Sequence, residues 1–74
     1  MRGYTIKVYL SDGSWGFIRP NDNGGFNTTQ NVGSALCFPT MADAKEYYFS
    51  HVKGAYDSRT GISVESGSLL EVNY

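Results

Sequence analysis

The chain has 74 residues, with seven Asp and Glu against six Lys and Arg and a formal net charge of −1. That length means one domain, and that charge gives no overall pull toward nucleic acid or an anionic membrane. A single cysteine, Cys37, excludes an internal disulfide, and with one histidine the chain has too few soft ligands for a structural zinc site.

Gly3–Leu10 alternates. Tyr4, Ile6, Val8 and Leu10 fall on one face, and Thr5, Lys7 and Tyr9 on the other, the pattern of a half-buried strand. Ser11-Asp12-Gly13-Ser14 is a turn signal. Ser14–Arg19 reads as a second strand, with Trp15 and Phe17 on one side and Ile18 on the other, so the two form a hairpin. Pro20 cannot donate to a ladder and ends the pairing.

Residues 20–34 are rich in Asn, Gly and Thr, with only Phe26 and Val32 bulky and apolar, and read as a long loop. Ala35–Phe38 is expected as a short strand.

Thr40–Gly54 reads as an amphipathic helix. Thr40 can accept from a first-turn N–H, with Asp43 answering as in a capping box. Asp43 and Glu46 suit the positive end of the dipole, His51 and Lys53 the negative end. Gly54 falls where a left-handed C-cap belongs. At about 100° per residue, Met41, Ala44, Tyr48 and Val52 share a stripe, with Ala42 and Phe49 on its flank and Tyr47 at its boundary. Lys45 lies inside that stripe and must snorkel.

Asp57–Gly61 then reads as a turn. Ile62–Glu65 and Leu69–Tyr74 read as strands joined at Ser66-Gly67-Ser68 in a second hairpin. The order β-β-(β)-α-β-β predicts an α+β fold: a small antiparallel sheet of four to five strands with one helix packed on one face.

A domain this small buries only ~60% of its unfolded surface. Its support must come from aromatic packing (six Tyr, four Phe, one Trp) or from a partner chain, and a homodimer is one option. No apolar run approaches ~18 residues and no signal peptide is evident, which predicts a soluble, cytoplasmic protein. No cofactor is implied. Asp12 and Asp22, near Asn and Gly, resemble calcium loops only faintly, because EF-hand spacing is absent. Cys37, His51 and an Asp are not tied together by any motif. No nucleophile–base pair is recognisable, so an enzyme is not expected.

Two surfaces are candidates for binding. Asp43, Glu46, Asp57 and Glu65, with Tyr47 and Tyr56, could make an acidic, tyrosine-bearing face that meets a larger protein or ribonucleoprotein complex. Tyr74 lies near them in sequence. The plainer alternative is a solvated surface.

The second candidate is Ser14-Trp15-Gly16-Phe17-Ile18-Arg19-Pro20-Asn21-Asp22-Asn23-Gly24-Gly25. This stretch resembles the first RNA-binding motif of cold-shock domains, an aromatic-glycine-phenylalanine-isoleucine core followed by proline and an acidic-glycine turn. Ser14 stands where that family has a basic residue, and no aromatic-valine-histidine strand follows Gly25. The resemblance implies that Trp15 and Phe17 stack single-stranded bases; a nucleic-acid binder built on them would add Tyr9 and Phe26 as rings and Lys7 and Arg19 on phosphates. The alternative is that Trp15 and Phe17 are cross-strand packing pairs.

In size, single-domain build and slight acidity the whole chain resembles the small phage-encoded inhibitors of bacterial defence, the anti-CRISPR proteins. The resemblance is one of size and composition. It implies a non-enzymatic inhibitor that blocks a CRISPR complex in the host cytoplasm by occupying a protein surface.

Overall fold

The computed structural model describes residues 2–20 and 25–73. The Asn21–Gly24 part of the cold-shock-like motif, the Asp22 calcium reading and Tyr74 lie outside the described residues. The fold is α+β: a four-stranded antiparallel sheet with one helix on its inner face. The strands are β1 (Arg2–Leu10), β2 (Trp15–Pro20), β3 (Phe26–Thr29) and β4 (Val64–Asn73), in the order β3-β2-β1-β4.

β1 is an interior strand between β2 and β4, and one face of it is buried, as its alternation predicts. Ile6 and Val8 are fully buried and Leu10 nearly so. They meet Ile18 from β2, Phe26 from β3, and Ala44 and Val52 from the helix. The β1–β2 hairpin forms, with Lys7 opposite Phe17 and Tyr9 opposite Trp15. Beyond Lys7 the two strands part, and residues 36–38 enter the gap. Leu36 N–H donates to the Ile18 carbonyl, and Tyr4 and Phe38 exchange both backbone bonds. Thr5 is buried on the outward side because its hydroxyl donates to the Leu36 carbonyl at 2.9 Å.

Three expectations from the sequence are corrected. The 20–34 loop contains β3 and a short 3-10 turn, Val32–Ser34. Thr28 and Thr29 are β-branched and pair with Ile18 and Phe17, and that pairing overrides the loop-like composition. Ala35–Phe38 is not a strand of the sheet; it makes one isolated bridge, Tyr4 to Phe38. The second hairpin does not exist: residues 64–73 run as one strand along β1, from Val64 opposite Leu10 to Asn73 opposite Arg2.

Gly67 explains the third correction. Ser-Gly-Ser reads as a turn, yet Gly67 sits mid-strand opposite Val8, on the face under the helix. A Cβ there would lie 2.5 Å from the Tyr48 ring. The glycine is a seat for that ring, and a glycine inside a strand often marks such close approach. Gly67→Ala is therefore expected to cost about 1–3 kcal/mol by overpacking. Urea denaturation would check it, and Tyr48→Ala in the same chain should relieve part of the loss.

The helix α1 (Met41–Tyr47) begins as predicted. Thr40 Oγ1 accepts from Asp43 N–H at 3.1 Å. From Tyr48 to Val52 it widens into a π-turn, with Lys53 N–H donating to the Tyr48 carbonyl at 2.8 Å, and Gly54 follows at φ +76°. Ala44 and Val52 are buried and Tyr48 half-buried, as the stripe requires. Met41, which the periodicity places on the stripe, is a correction: it is more than half exposed, as is the flanking Phe49, because both lie over β4 rather than over the core.

Residues 55–63 tie the two ends of the sheet. Val64 N–H donates to the Ala55 carbonyl, and Ser58 N–H donates to the Phe26 carbonyl on β3. Asp57–Gly61 is the predicted turn, closed by Gly61 N–H to the Asp57 carbonyl at 2.7 Å.

Candidate functional site

The outer sheet face gathers most of the proposed nucleic-acid-binding residues. Register puts Lys7, Tyr9, Trp15 and Phe17 in one square, because opposed residues of an antiparallel pair share a face. Trp15 and Phe17 meet edge-on, with ring centroids 5.8 Å apart at 84°. The Lys7 ammonium lies 4.5 Å from the Trp15 centroid and 5.2 Å from that of Tyr9. Tyr9 and Trp15 remain 40% and 39% exposed, enough to leave ring surface for a ligand. Arg19, two residues beyond Phe17, is exposed on the same face. Phe26 does not join them; it points inward and is 2% exposed.

Charge is segregated although the net is nearly zero. Along the paired stretches of β1, β2 and β3 the outer positions hold Lys7 and Arg19 and no acid. A polar groove of about 480 Å³ runs on from Trp15 and Arg19 to the 57–62 turn, where Arg59 lines it as well. Two acids, Asp12 and Asp57, also line this groove, and both carboxylates are engaged by protein donors. Asp12 accepts from the Ser14 hydroxyl and from Ser14 N–H, and these bonds, the hydroxyl's first, hold its carboxyl below the ordinary value.

The residues proposed to meet a protein partner divide. Asp43, Glu46 and Tyr47 line a shallow groove of about 200 Å³ on the helix with Phe38, Ser50 and His51. Tyr47 is half-buried there, its ring 5.2 Å from Phe38 and 4.8 Å from His51. Tyr56 is 62% exposed and bridges to Ser63 just before β4, and Glu65 is exposed within β4; neither lines the helix groove. Asp57 is not a surface acid. It is 1% exposed, and its carboxylate accepts from the Thr28 hydroxyl at 3.2 Å, the Thr60 hydroxyl at 3.1 Å and Arg59 N–H at 3.1 Å. Its role is to hold the turn to β3.

Thr29, opposite Phe17 on the outer face, and Arg59 on the groove were missed by sequence reasoning. Thr29 was hidden by the loop-like composition around it. Nothing local to Arg59 signals that the 57–61 turn swings back to β3. Among the described residues, no group of three or more His, Cys, Asp or Glu is assembled that could hold a metal ion. His51 packs on Tyr47, and the Cys37 thiol donates to the Ala35 carbonyl at 3.7 Å. No helix is long and apolar enough to cross a membrane among the described residues. No protein-family model matches the chain, and no curated protein and no solved structure matches it.

Proposed function

We propose that this is a non-enzymatic binding protein whose outer sheet face holds single-stranded nucleic acid. One observation carries the reading: the square of Lys7, Tyr9, Trp15 and Phe17, wet, aromatic and free of acids, with Arg19 beside it. Exposed rings accept bases by stacking without regard to sequence, and neighbouring cations track the phosphates. Lys7, already over two rings, supplies charge where a stacked base would carry its backbone.

Trp15→Ala removes the largest platform ring. It is expected to weaken binding of a labelled oligonucleotide by about 1–3 kcal/mol, roughly 5- to 150-fold in Kd. Lys7→Ala should flatten the salt dependence by about 0.7 in log K against log salt, one phosphate contact. Fluorescence anisotropy measures both. Binding that is unchanged by Trp15→Ala, or that ignores salt, overturns the reading.

A second reading rests on the helix. Asp43, Glu46 and Tyr47 share a groove on the inner side of the molecule, away from the cationic face. That supports the inhibitor suggested by the anti-CRISPR resemblance, with acids and a tyrosine set against a basic surface of a CRISPR effector complex or nuclease. Capture of such a complex that survives Trp15→Ala and is lost in D43K/E46K selects it.

A further inference from the structure

The two edges of the sheet are treated differently. β3 is covered: the 57–61 turn bonds to it through Ser58 N–H and the Thr28 hydroxyl. Among the described residues, the backbone contact on the edge of β4 is at its start, where Val64 N–H donates to the Ala55 carbonyl. From residue 65 to residue 73 it is the outer strand of the sheet. That stretch carries Glu65, at the bulge where the pairing with β1 shifts register, and Glu71, but no proline, lysine or arginine, so from residue 66 to residue 70 the edge has no charge or bulge to blunt it. Beside it lies an apolar groove of about 310 Å³ lined by Met41, Tyr48, Phe49 and Leu69, with Lys45 at its side.

We propose that two copies of this chain pair antiparallel through β4 about a two-fold axis at Leu69, joining their sheets into one. The strand's own sequence selects this partner and register. Centring on Leu69 opposes residue 65 to residue 73 of the other copy and so uses the whole open edge. It sets Leu70 against Ser68, Val72 against Ser66 and Glu71 against Gly67. Shifting the centre to Ser68 would set Glu65 directly against Glu71 twice, which is unfavourable. On the inner face the axis brings the two Met41–Phe49 flanks together over the paired Leu69 side chains. The edge carries Glu65 and Glu71, and the helix flank carries Lys45 on the groove and Lys53 over the Phe49 ring, so the two-fold sets unlike charges near one another. The contact is isologous and closes, giving a dimer and not a fibre. It leaves the outer platform of each copy free and does not depend on the nucleic-acid reading.

Sedimentation velocity over a concentration series is the test, joined to cross-linking in a Cys37→Ser background. A species of twice the chain mass is expected. M41K/F49K, at two exposed positions, is expected to raise its dissociation constant at least tenfold with the circular dichroism spectrum unchanged. Leu69→Cys should cross-link to itself under diamide, since Cα atoms directly opposed lie ~4.5–5.5 Å apart, inside the ~4.4–6.8 Å reach of a disulfide. Ser50→Cys, on the exposed side of the helix, should not. A monomer throughout the series overturns the proposal. So does a dimer that ignores M41K/F49K and cross-links at residue 50 but not 69. A monomeric chain that pairs β4 with an added unrelated peptide strand also overturns it, since the occupant would then not be a second copy.

Discussion

Phe26→Ala is expected to destabilise the protein by about 3–5 kcal/mol, the range for emptying a buried aromatic site. Phe26 is among the largest fully enclosed side chains, and it is the only large apolar anchor of β3, whose other residues are Asn27, Thr28 and Thr29. Its loss should release β3 from the core together with the turn bonded to its carbonyl. A domain of this length holds only about 4–11 kcal/mol in all. The variant should therefore unfold at a much lower urea concentration, or show no folded baseline at 37 °C. An unfolding free energy within about 1 kcal/mol of the parent's would mean that Phe26 is not in the core.

Asp57→Ala has the next largest expected effect, on the order of 2–4 kcal/mol. Bonds to a charged acceptor contribute about 1.5–3 kcal/mol each and are not additive, and a hydroxyl set free can partly recover water. Three donors lose their acceptor: the Thr28 and Thr60 hydroxyls and Arg59 N–H. Asp57→Asn keeps one carbonyl oxygen, and the hydroxyls can turn to accept from its amide, so it should recover about half of the loss. Because Arg59 rides on this turn, Asp57→Ala should also disturb the groove beside Trp15. Hydrogen exchange would show this as lost protection at Ser58 and Gly61 ahead of β1. Equal loss throughout the chain would mean that the turn has no separate role.

The parts of the fold legible in the sequence are those written in local chemistry. β1 alternates, Thr40 caps and Gly54 ends the helix, and each needs only its neighbours to be read. What was not legible depends on contacts distant in sequence. Gly67 looks like a turn until Tyr48 is placed over it. Phe26–Thr29 looks like a loop until β2 offers it a ladder. Asp57 looks like a surface acid until Thr28, far back in the chain, bonds to it. The candidate site follows the same division. Alternation alone puts Lys7 with Tyr9 and Trp15 with Phe17, but only the hairpin register sets Lys7 over the Trp15 ring. Phe26 reads as an aromatic of an open loop beside them, and the strand it forms turns it inward.

The most direct measurement is a titration of the isotopically labelled chain with a short single-stranded oligonucleotide at low salt, followed by amide and Trp15 indole chemical shifts. Shifts are expected at Lys7, Tyr9, Trp15, Phe17, Arg19 and the facing residues of β3 alone, fading as salt is added. Shifts that gather instead around Asp43, Glu46 and Tyr47, or that fail to appear with millimolar oligonucleotide, would contradict the nucleic-acid reading.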